Sequence, residues 1–404
     1  MRASVPSRSP KAARGVDRPD RTQPTRRAWA EIDLGAVRDN VRAMRAVLHE
    51  PTQLMAVVKA DAYGHGACAV ARAALEAGAA SLGVATTDEG QELRRSGIRS
   101  PILLLGYTPP EDAETAVAHD LSVTVFQREA ARALGAAASR AGRPARVHVK
   151  IDTGMGRIGV GPADAVALVR DISGYGGLVV EGVCTHFATA DEADLAAARR
   201  QWETFRHVLR ALEGERLPCG IRHAANSAAL FALPEAHLDL VRVGLALYGI
   251  PPARHLAGTV PLRPVMRLLA RVGHVKRVAG GTPIGYGHTY RAPQETTIAT
   301  IAVGYGDGYP RLAGGTGEVV LGGSRVRIAG RVSMDQCTID AMDLPVSVGD
   351  VVELWGETLS VTDVAEAAQT IPYEVLTGVS RRVPRVFVRD GRMVGVRTLL
   401  GDGP

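Results

Sequence analysis

Cysteine is scarce in this chain. Cys68, Cys184, Cys219 and Cys337 are its only four, and they lie far apart with no CxxC and no metal-ligand spacing. Neither a disulfide framework nor a metal site is implied, and reduced structural thiols are expected. No apolar run is long enough to cross a bilayer, and no apolar stretch of signal-peptide length follows Arg26-Arg27. A cytoplasmic protein with no membrane partner is therefore expected. A basic surface is lacking too, although the formal net charge is +6. Residues 1–27 hold eight Lys/Arg and two Asp, which leaves 40 basic against 40 acidic residues in the rest of the chain. The body is neutral, and nucleic acid is excluded as its partner.

What remains is a length of 404 residues, 46% of them hydrophobic, enough for two cores. Residues 1–27 are rich in Pro, Ser and Arg without apolar periodicity, so a disordered basic tail is expected. From residue 53 to 244 the chain alternates short aliphatic runs with Ala/Arg/Glu stretches of helical period. The runs are eight in number: 53–59, 81–85, 102–106, 122–126, 146–152, 179–186, 220–226 and 238–244. Helices over 89–95 and 128–141 fit between them. This pattern predicts an α/β fold, a closed (β/α)8 barrel with right-handed crossovers, spanning residues 28–253. Past Tyr248-Gly249-Ile250-Pro251-Pro252 the helical stretches largely stop. Residues 254–404 read as a mainly β domain with strands over 266–278, 296–303, 318–321, 325–328 and 350–354. One short helix, 363–370, is predicted there with Asp363 as its N-cap.

Barrel chemistry sits at the C-terminal ends of strands, and the unusual polar residues fall there: Lys59, Lys150 and Asp152, His186, Asn226 and Ser227, Arg242 and Gly244. Lys59 closes an apolar run and leads into Ala60-Asp61-Ala62-Tyr63-Gly64-His65-Gly66. A buried amine deprotonates readily and attacks carbonyls. Taken alone, the segment would also suit a snorkelling surface lysine. The last two strand ends are the usual phosphate site of a barrel, and here they carry Ser227 and the Gly244-Leu245 amides.

Seven segments occur in order: the one around Lys59, Lys150-Ile151-Asp152-Thr153-Gly154-Met155-Gly156-Arg157, His223-Ala224-Ala225-Asn226-Ser227, Arg242-Val243-Gly244, Gly285-Tyr286-Gly287, Gly304-Tyr305-Gly306-Asp307-Gly308 and Met334-Asp335-Gln336. Together they resemble the bacterial alanine racemases, from about residue 28 to about 401. The resemblance implies a pyridoxal 5'-phosphate enzyme in which Lys59 holds the cofactor as a Schiff base. Tyr63, Ser227, Tyr373 and the Gly244-Leu245 backbone would hold the phosphate, with Asn226 beside them and His186 near the ring. Lys59 and Tyr286 would be the two bases, one on each face of the substrate. The resemblance places Tyr286 in the partner subunit, hence a homodimer with shared active sites, and assigns His223 and Arg242 as the positive neighbours of that tyrosine. Arg157 would bind the substrate carboxylate or the cofactor's phenolic oxygen, and Lys150 would be carbamylated beside it. Met334 and Asp335 would line the substrate side, Tyr305 and Arg311 the approach route.

Arg242 bears on the reaction type. A guanidinium keeps its proton, so opposite the pyridine nitrogen it leaves that nitrogen unprotonated and weakens the electron sink, which favours racemisation over transamination. The implied activity is interconversion of L- and D-alanine, an isomerase supplying D-alanine for peptidoglycan. A decarboxylase on the same fold would call for an acidic residue in place of Arg242. A non-catalytic cofactor carrier would not need the second domain, and a serine or broad-specificity racemase is the remaining rival. Plain structural roles stay open for His186 as a core histidine, for Arg242 as a carboxylate partner, and for Lys150 as an unmodified lysine paired with Asp152.

Overall fold

The computed structural model describes residues 26–403. Eight strands form one all-parallel sheet: β2 (Gln53–Val57), β3 (Ser81–Val84), β4 (Ile102–Leu104), β5 (Ser122–Val125), β6 (Ala145–Lys150), β7 (Leu178–Cys184), β8 (Ile221–His223) and β9 (Leu240–Val243). They run β8-β7-β6-β5-β4-β3-β2-β9, with β9 returning to pair β2. The barrel is nearly closed. Between β8 and β9 no ladder forms, and the seam is held by Asp239 instead. Its carboxylate takes the Arg222 amide at 2.8 Å and two guanidinium bonds at 2.8 and 2.9 Å, and its own amide donates to Arg222 O at 3.1 Å. Most strands stop one or two residues short of the predicted ends, because the polar residues there turn into the loops that form the barrel mouth.

Helices lie outside the strands and bury one apolar stripe each. Helix α1 (Leu34–Arg45) starts on Asp33, whose carboxylate accepts the Ala36 amide at 3.0 Å. Helix α4 (Thr87–Arg95) opens on a capping box of Thr86 and Glu89. The predicted 128–141 helix is present as Arg128–Ala141.

Strand β1 (Ala28–Asp33) precedes the barrel but does not join it. It pairs antiparallel with β10 (Met266–Val278) and parallel with β18 (Arg385–Arg389), so these residues lie in the sheet of the second domain. That sheet also holds β13 (Thr296–Ile301), β14 (Glu318–Leu321), β15 (Ser324–Arg327), β16 (Cys337–Met342), β17 (Val351–Trp355), β19 (Arg392–Thr398) and β20 (Gly401–Gly403). A separate hairpin, β11 (Pro283–Ile284) with β12 (Tyr290–Arg291), projects Tyr286 from its tip.

One expectation about the second domain's helices is corrected. The helix predicted at 363–370 runs Val361–Ala367, capped by Ser360, whose hydroxyl accepts the Thr362 amide, so Asp363 sits in the first turn instead. A second short helix, Pro372–Thr377, was not predicted and carries Tyr373. The tail expectation lies outside the described residues except for Arg26 and Arg27, and Arg27 is fixed: its guanidinium donates to Asp307 at 2.6 Å and to Ala302 O at 2.8 Å. Among the described residues no helix is long and apolar enough to cross a membrane, and no group of His, Cys, Asp and Glu could hold a metal.

Candidate active site

The site begins with an unusual turn. Lys59 opens α2 (Lys59–Tyr63), and the next four residues, none of them glycine, all lie in the left-handed region, with φ of 51, 54, 53 and 52°. Such a run costs about 1–2 kcal/mol per residue, so it persists only because its surroundings over-determine it. Glu89 accepts the Ala60 amide at 2.6 Å and the Ala85 amide at 2.7 Å. Asp61 accepts the Ala67 amide at 2.9 Å and is gripped by both Arg397 nitrogens. Buried Arg385 donates to Gly64 O at 2.9 Å. At Gly64 itself φ is +79°, and a Cβ would lie 2.4 Å from Leu376 O, so only glycine fits. The result is a half-buried lysine at the mouth. Burial, then the neighbouring Arg157 charge, lowers its pKa against the opposing pull of Glu89.

A second group converges one strand away. Asn226 caps the Ser227–Ala232 helix by accepting the Ala229 amide at 3.0 Å. The Ser227 hydroxyl accepts the Gly244 amide at 2.9 Å and the Ala246 amide at 3.4 Å, which brings the Gly244-Leu245 backbone beside it. Tyr63 closes the space: its hydroxyl would stand 2.7 Å from a Cβ at Gly244. The Tyr63 ring is wedged against Tyr248 and Tyr373, with centroids 4.8 and 5.7 Å away. Tyr248 is itself pinned by donating to Val57 O at 2.9 Å.

Arg242 stands at the centre, buried. It donates to His223 Nδ1 at 2.7 Å, to His186 Nδ1 at 3.2 Å, and to the carbonyls of Thr185 and Ala224 at 2.8 and 3.0 Å. Among the described residues no carboxylate lies within ion-pair distance of it, so a structural Arg–carboxylate pair is not what this arginine makes. Burial, then the Arg242 charge, holds both His186 and His223 well below the usual imidazole range. Both therefore act as neutral acceptors.

Lys150 ends β6, buried, with its pKa lowered to about 8 by desolvation, and further by Arg242 and Arg157, against the opposing pull of Cys184 and Asp152. It makes no ion pair with Asp152 among the described residues. Asp152 instead spends Oδ1 on the amides of Gly154, Met155 and Gly156, at 3.0, 2.8 and 3.1 Å, and so shapes the loop that carries Arg157.

The remaining predicted residues lie apart, on an exposed face of the second domain. Tyr286 is 70% exposed and Met334 is 53% exposed. The Tyr305 and Gly306 amides donate to Ser333 O and Met334 O at 3.0 and 2.8 Å. Arg382 joins Asp307 to Asp335, at 2.8 and 2.7 Å. Arg331 lies against both the Tyr286 hairpin at Gly287 and the turn after Arg311 at Gly314. One chain thus gathers Lys59, Tyr63, Lys150, Arg157, His186, His223, Asn226, Ser227, Arg242, Gly244, Leu245 and Tyr373 at the barrel mouth, and Tyr286, Tyr305, Arg311, Met334 and Asp335 elsewhere.

Residues not foreseen include Glu89, Arg385 and Arg397, which clamp the lysine turn, and His148 with Glu181, which lie behind His223. Only Glu89 had a readable signal, the Thr86-x-x-Glu89 capping pattern.

Comparison with known proteins agrees with this geometry. The family model for the alanine racemase N-terminal domain matches residues 32–252, and that for the alanine racemase C-terminal domain matches 265–387. The chain is 48% identical over 364 residues to an alanine racemase of Desulforamulus reducens, covering 89% of this chain and 98% of that one. It is likewise 48% identical to one of Symbiobacterium thermophilum, covering 90% and 97%. Among solved structures, the alanine racemase of Streptomyces lavendulae superposes with a TM-score of 0.88 at 44% identity, over 91% of this chain and 98% of that chain.

Proposed function

The chain belongs to the alanine racemase family, and from that premise we propose how its own residues carry the reaction. It is an isomerase that interconverts L- and D-alanine. We infer pyridoxal 5'-phosphate as its cofactor, because the mouth suits the group: a lysine with a lowered pKa, a hydroxyl and amide set at Ser227 and Gly244-Leu245, and a gap that a single Cβ at Gly244 would fill. Lys59 would hold it covalently. Tyr63, Ser227, Asn226, Gly244, Leu245 and Tyr373 would hold its phosphate end, and His186 and Arg242 its ring. When bound, the cofactor supplies an electron sink for the substrate Cα. We propose a division into a barrel through residue 253 and a β domain from 254, with β1 in the second sheet.

The observation that carries the reading is the buried cation of Arg242, held only by neutral acceptors. It keeps a proton off any ring nitrogen it faces and so tempers the sink. A decarboxylase would want a carboxylate in that position, and among the described residues none lies within ion-pair distance. The Lys59 amine, biased towards its neutral form by burial, takes or returns the Cα proton on one face of the substrate. The hydroxyl of Tyr286 serves the other face. Tyr286 is exposed at the tip of its hairpin, open to a second copy of the chain, and on this reading that hydroxyl comes from a partner subunit, so that the working enzyme would be a homodimer with two shared sites. Arg157 orients the substrate carboxylate, and Lys150, carbamylated by carbon dioxide at its free amine, would turn from a cation that repels Arg157 into an anion that holds it. Met334 and Asp335 would line the substrate side, with Tyr305 and Arg311 along the approach. His223 steadies Arg242. A cytoplasmic supply of D-alanine for peptidoglycan follows as its role.

The test is direct. Purified protein incubated with L-alanine should yield D-alanine, and should carry the visible absorbance of a lysine-bound cofactor. Pyruvate or an amine as the main product would refute the racemase reading, and equal turnover of serine would broaden it.

A further inference from the structure

Behind Arg242 the barrel core is not filled with aliphatic layers alone. His223 Nε2 lies 2.8 Å from His148 Nδ1, and His148 Nε2 lies 3.1 Å from Glu181 Oε2. The same carboxylate oxygen accepts the Ser122 hydroxyl at 2.5 Å, while Oε1 faces Arg146 at 3.3 Å. His148 and His223 are buried, on β6 and β8, and Glu181 on β7 reaches partly to solvent. Four side chains therefore connect the barrel mouth to its middle.

The direction of every bond in this chain is fixed. A guanidinium only donates, so His223 Nδ1 is the acceptor of Arg242. A neutral imidazole that accepts at one nitrogen carries its proton on the other, so His223 donates from Nε2 to His148 Nδ1. By the same step His148 donates from Nε2 to Glu181. The chain ends on an anion. Hydrogen bonding from His148 and Ser122, with the charge of Arg146, holds that carboxylate below its ordinary range although burial opposes it.

A backbone feature points to the same contact independently. At Gly182, the neighbour of Glu181 on β7, a Cβ would lie 2.4 Å from His148 Nδ1 and 2.6 Å from Ile221 O. Any other residue would push His148 off His223.

We propose that Glu181 is the remote counter-charge of Arg242, acting through His148 and His223 as positioning residues that hold the guanidinium charged and aimed at the mouth. A buried cation without a partner is costly, and here the compensation arrives through two polarised imidazoles. Arg242 cannot give up its proton, so the chain transmits charge but moves no proton. The inference rests on Arg242 as the cofactor-facing cation.

Two measurements on the holoenzyme test it. In protein labelled with 15N-histidine, both His148 and His223, assigned by the loss of signals in His148→Phe, should appear as neutral Nε2–H tautomers. Glu181→Gln keeps the shape but removes the charge, and should lower kcat by ~10- to 100-fold, the worth of a hydrogen bond to a charged group, with KM little changed. Gly182→Ala, which deletes no polar group, should produce the same kcat loss and disturb the His148 signal. Asp120→Asn removes a carboxylate that pairs with Arg146 but lies outside the chain, and should leave kcat as it is. An Nδ1–H tautomer at either histidine, or an unchanged kcat in a folded Glu181→Gln enzyme, overturns the proposal. The tautomers can be read whether or not the protein racemises alanine, so failure of the chain and failure of the racemase reading are separable.

Discussion

Replacing Gly244 with Ala should weaken cofactor binding through a contact that can be located to one atom. The added Cβ would stand 2.7 Å from the Tyr63 hydroxyl and 3.4 Å from its Cζ. The second distance is ordinary contact and the first is not. Tyr63 cannot swing aside, because Tyr248 and Tyr373 flank its ring at 4.8 and 5.7 Å. Overpacking of this kind costs about 1–3 kcal/mol, which corresponds to ~5- to 150-fold in the dissociation constant for pyridoxal phosphate, at 1.4 kcal/mol per decade. Titrating cofactor-free protein and following the visible absorbance measures it. The offending atom is a single oxygen, so Tyr63→Phe should relieve the clash while losing the bond proposed for it with the phosphate. A double-mutant cycle should therefore show a coupling of about 1–2 kcal/mol between the two positions. Wild-type affinity in Gly244→Ala, or strict additivity in the cycle, would refute the cradle.

Lys59→Ala should abolish both the visible absorbance and racemisation, since the other amine of the mouth, Lys150, ends β6 rather than β2 and is not placed to take over the Schiff base; retained turnover would remove Lys59 from the chemistry. Tyr286→Phe should bind cofactor normally yet fail to take the proton from L-alanine, and mixing it with Lys59→Ala under subunit exchange should recover part of the activity, whereas inactive hybrids shown to have formed would argue against a shared site. The Lys150 amine, lowered to about 8, should take up 13C-labelled carbon dioxide with a midpoint far below that of an ordinary lysine, readable as a carbamate carbon resonance. At the barrel seam Arg222 depresses the Asp239 pKa by side-chain hydrogen bonding, against the opposing effect of burial. Its contribution to stability is therefore full above the ordinary carboxylate range and lost as pH falls through the depressed value. Asp239→Asn should cost about 1 kcal/mol near neutral pH, reduced by partial exposure, and the gap to wild type in denaturant melts should close in acid.

Much of the barrel was legible because each strand is a short apolar run ended by a polar residue that the mouth uses, so Lys59, Lys150, His186 and Arg242 mark strand ends as well as chemistry. What escaped depends on contacts distant in sequence. Nothing local in Ala28–Asp33 says that Ala30 will pair with Arg385 rather than with a barrel strand. His148 and Glu181 look like ordinary polar alternation on their strands, and only the close approach allowed by Gly182 makes them a chain. The left-handed turn was invisible because its four residues, Ala60 to Tyr63, have no glycine among them; tertiary bonds override their preference. Asp363 and Ser360 both suit an N-cap, and the choice between them was made by where the helix buries Val361 and Val364.

That turn also sets a schedule. Lys59 is made early, yet the arginines that clamp its turn come 321 residues after Gly64 and 336 after Asp61. Until β18 and β19 exist and have docked, only the Glu89 bond to the Ala60 amide and the Asp61 bond to the Ala67 amide oppose the relaxation of residues 60–63 to right-handed geometry. A nascent or truncated chain ending before Arg385 would thus hold the reactive amine out of register, unable to capture an aldehyde cofactor at the right place. If Lys59 holds the proposed cofactor, loading would follow the docking of β18 and β19 and so depend on both ends of the polypeptide having met.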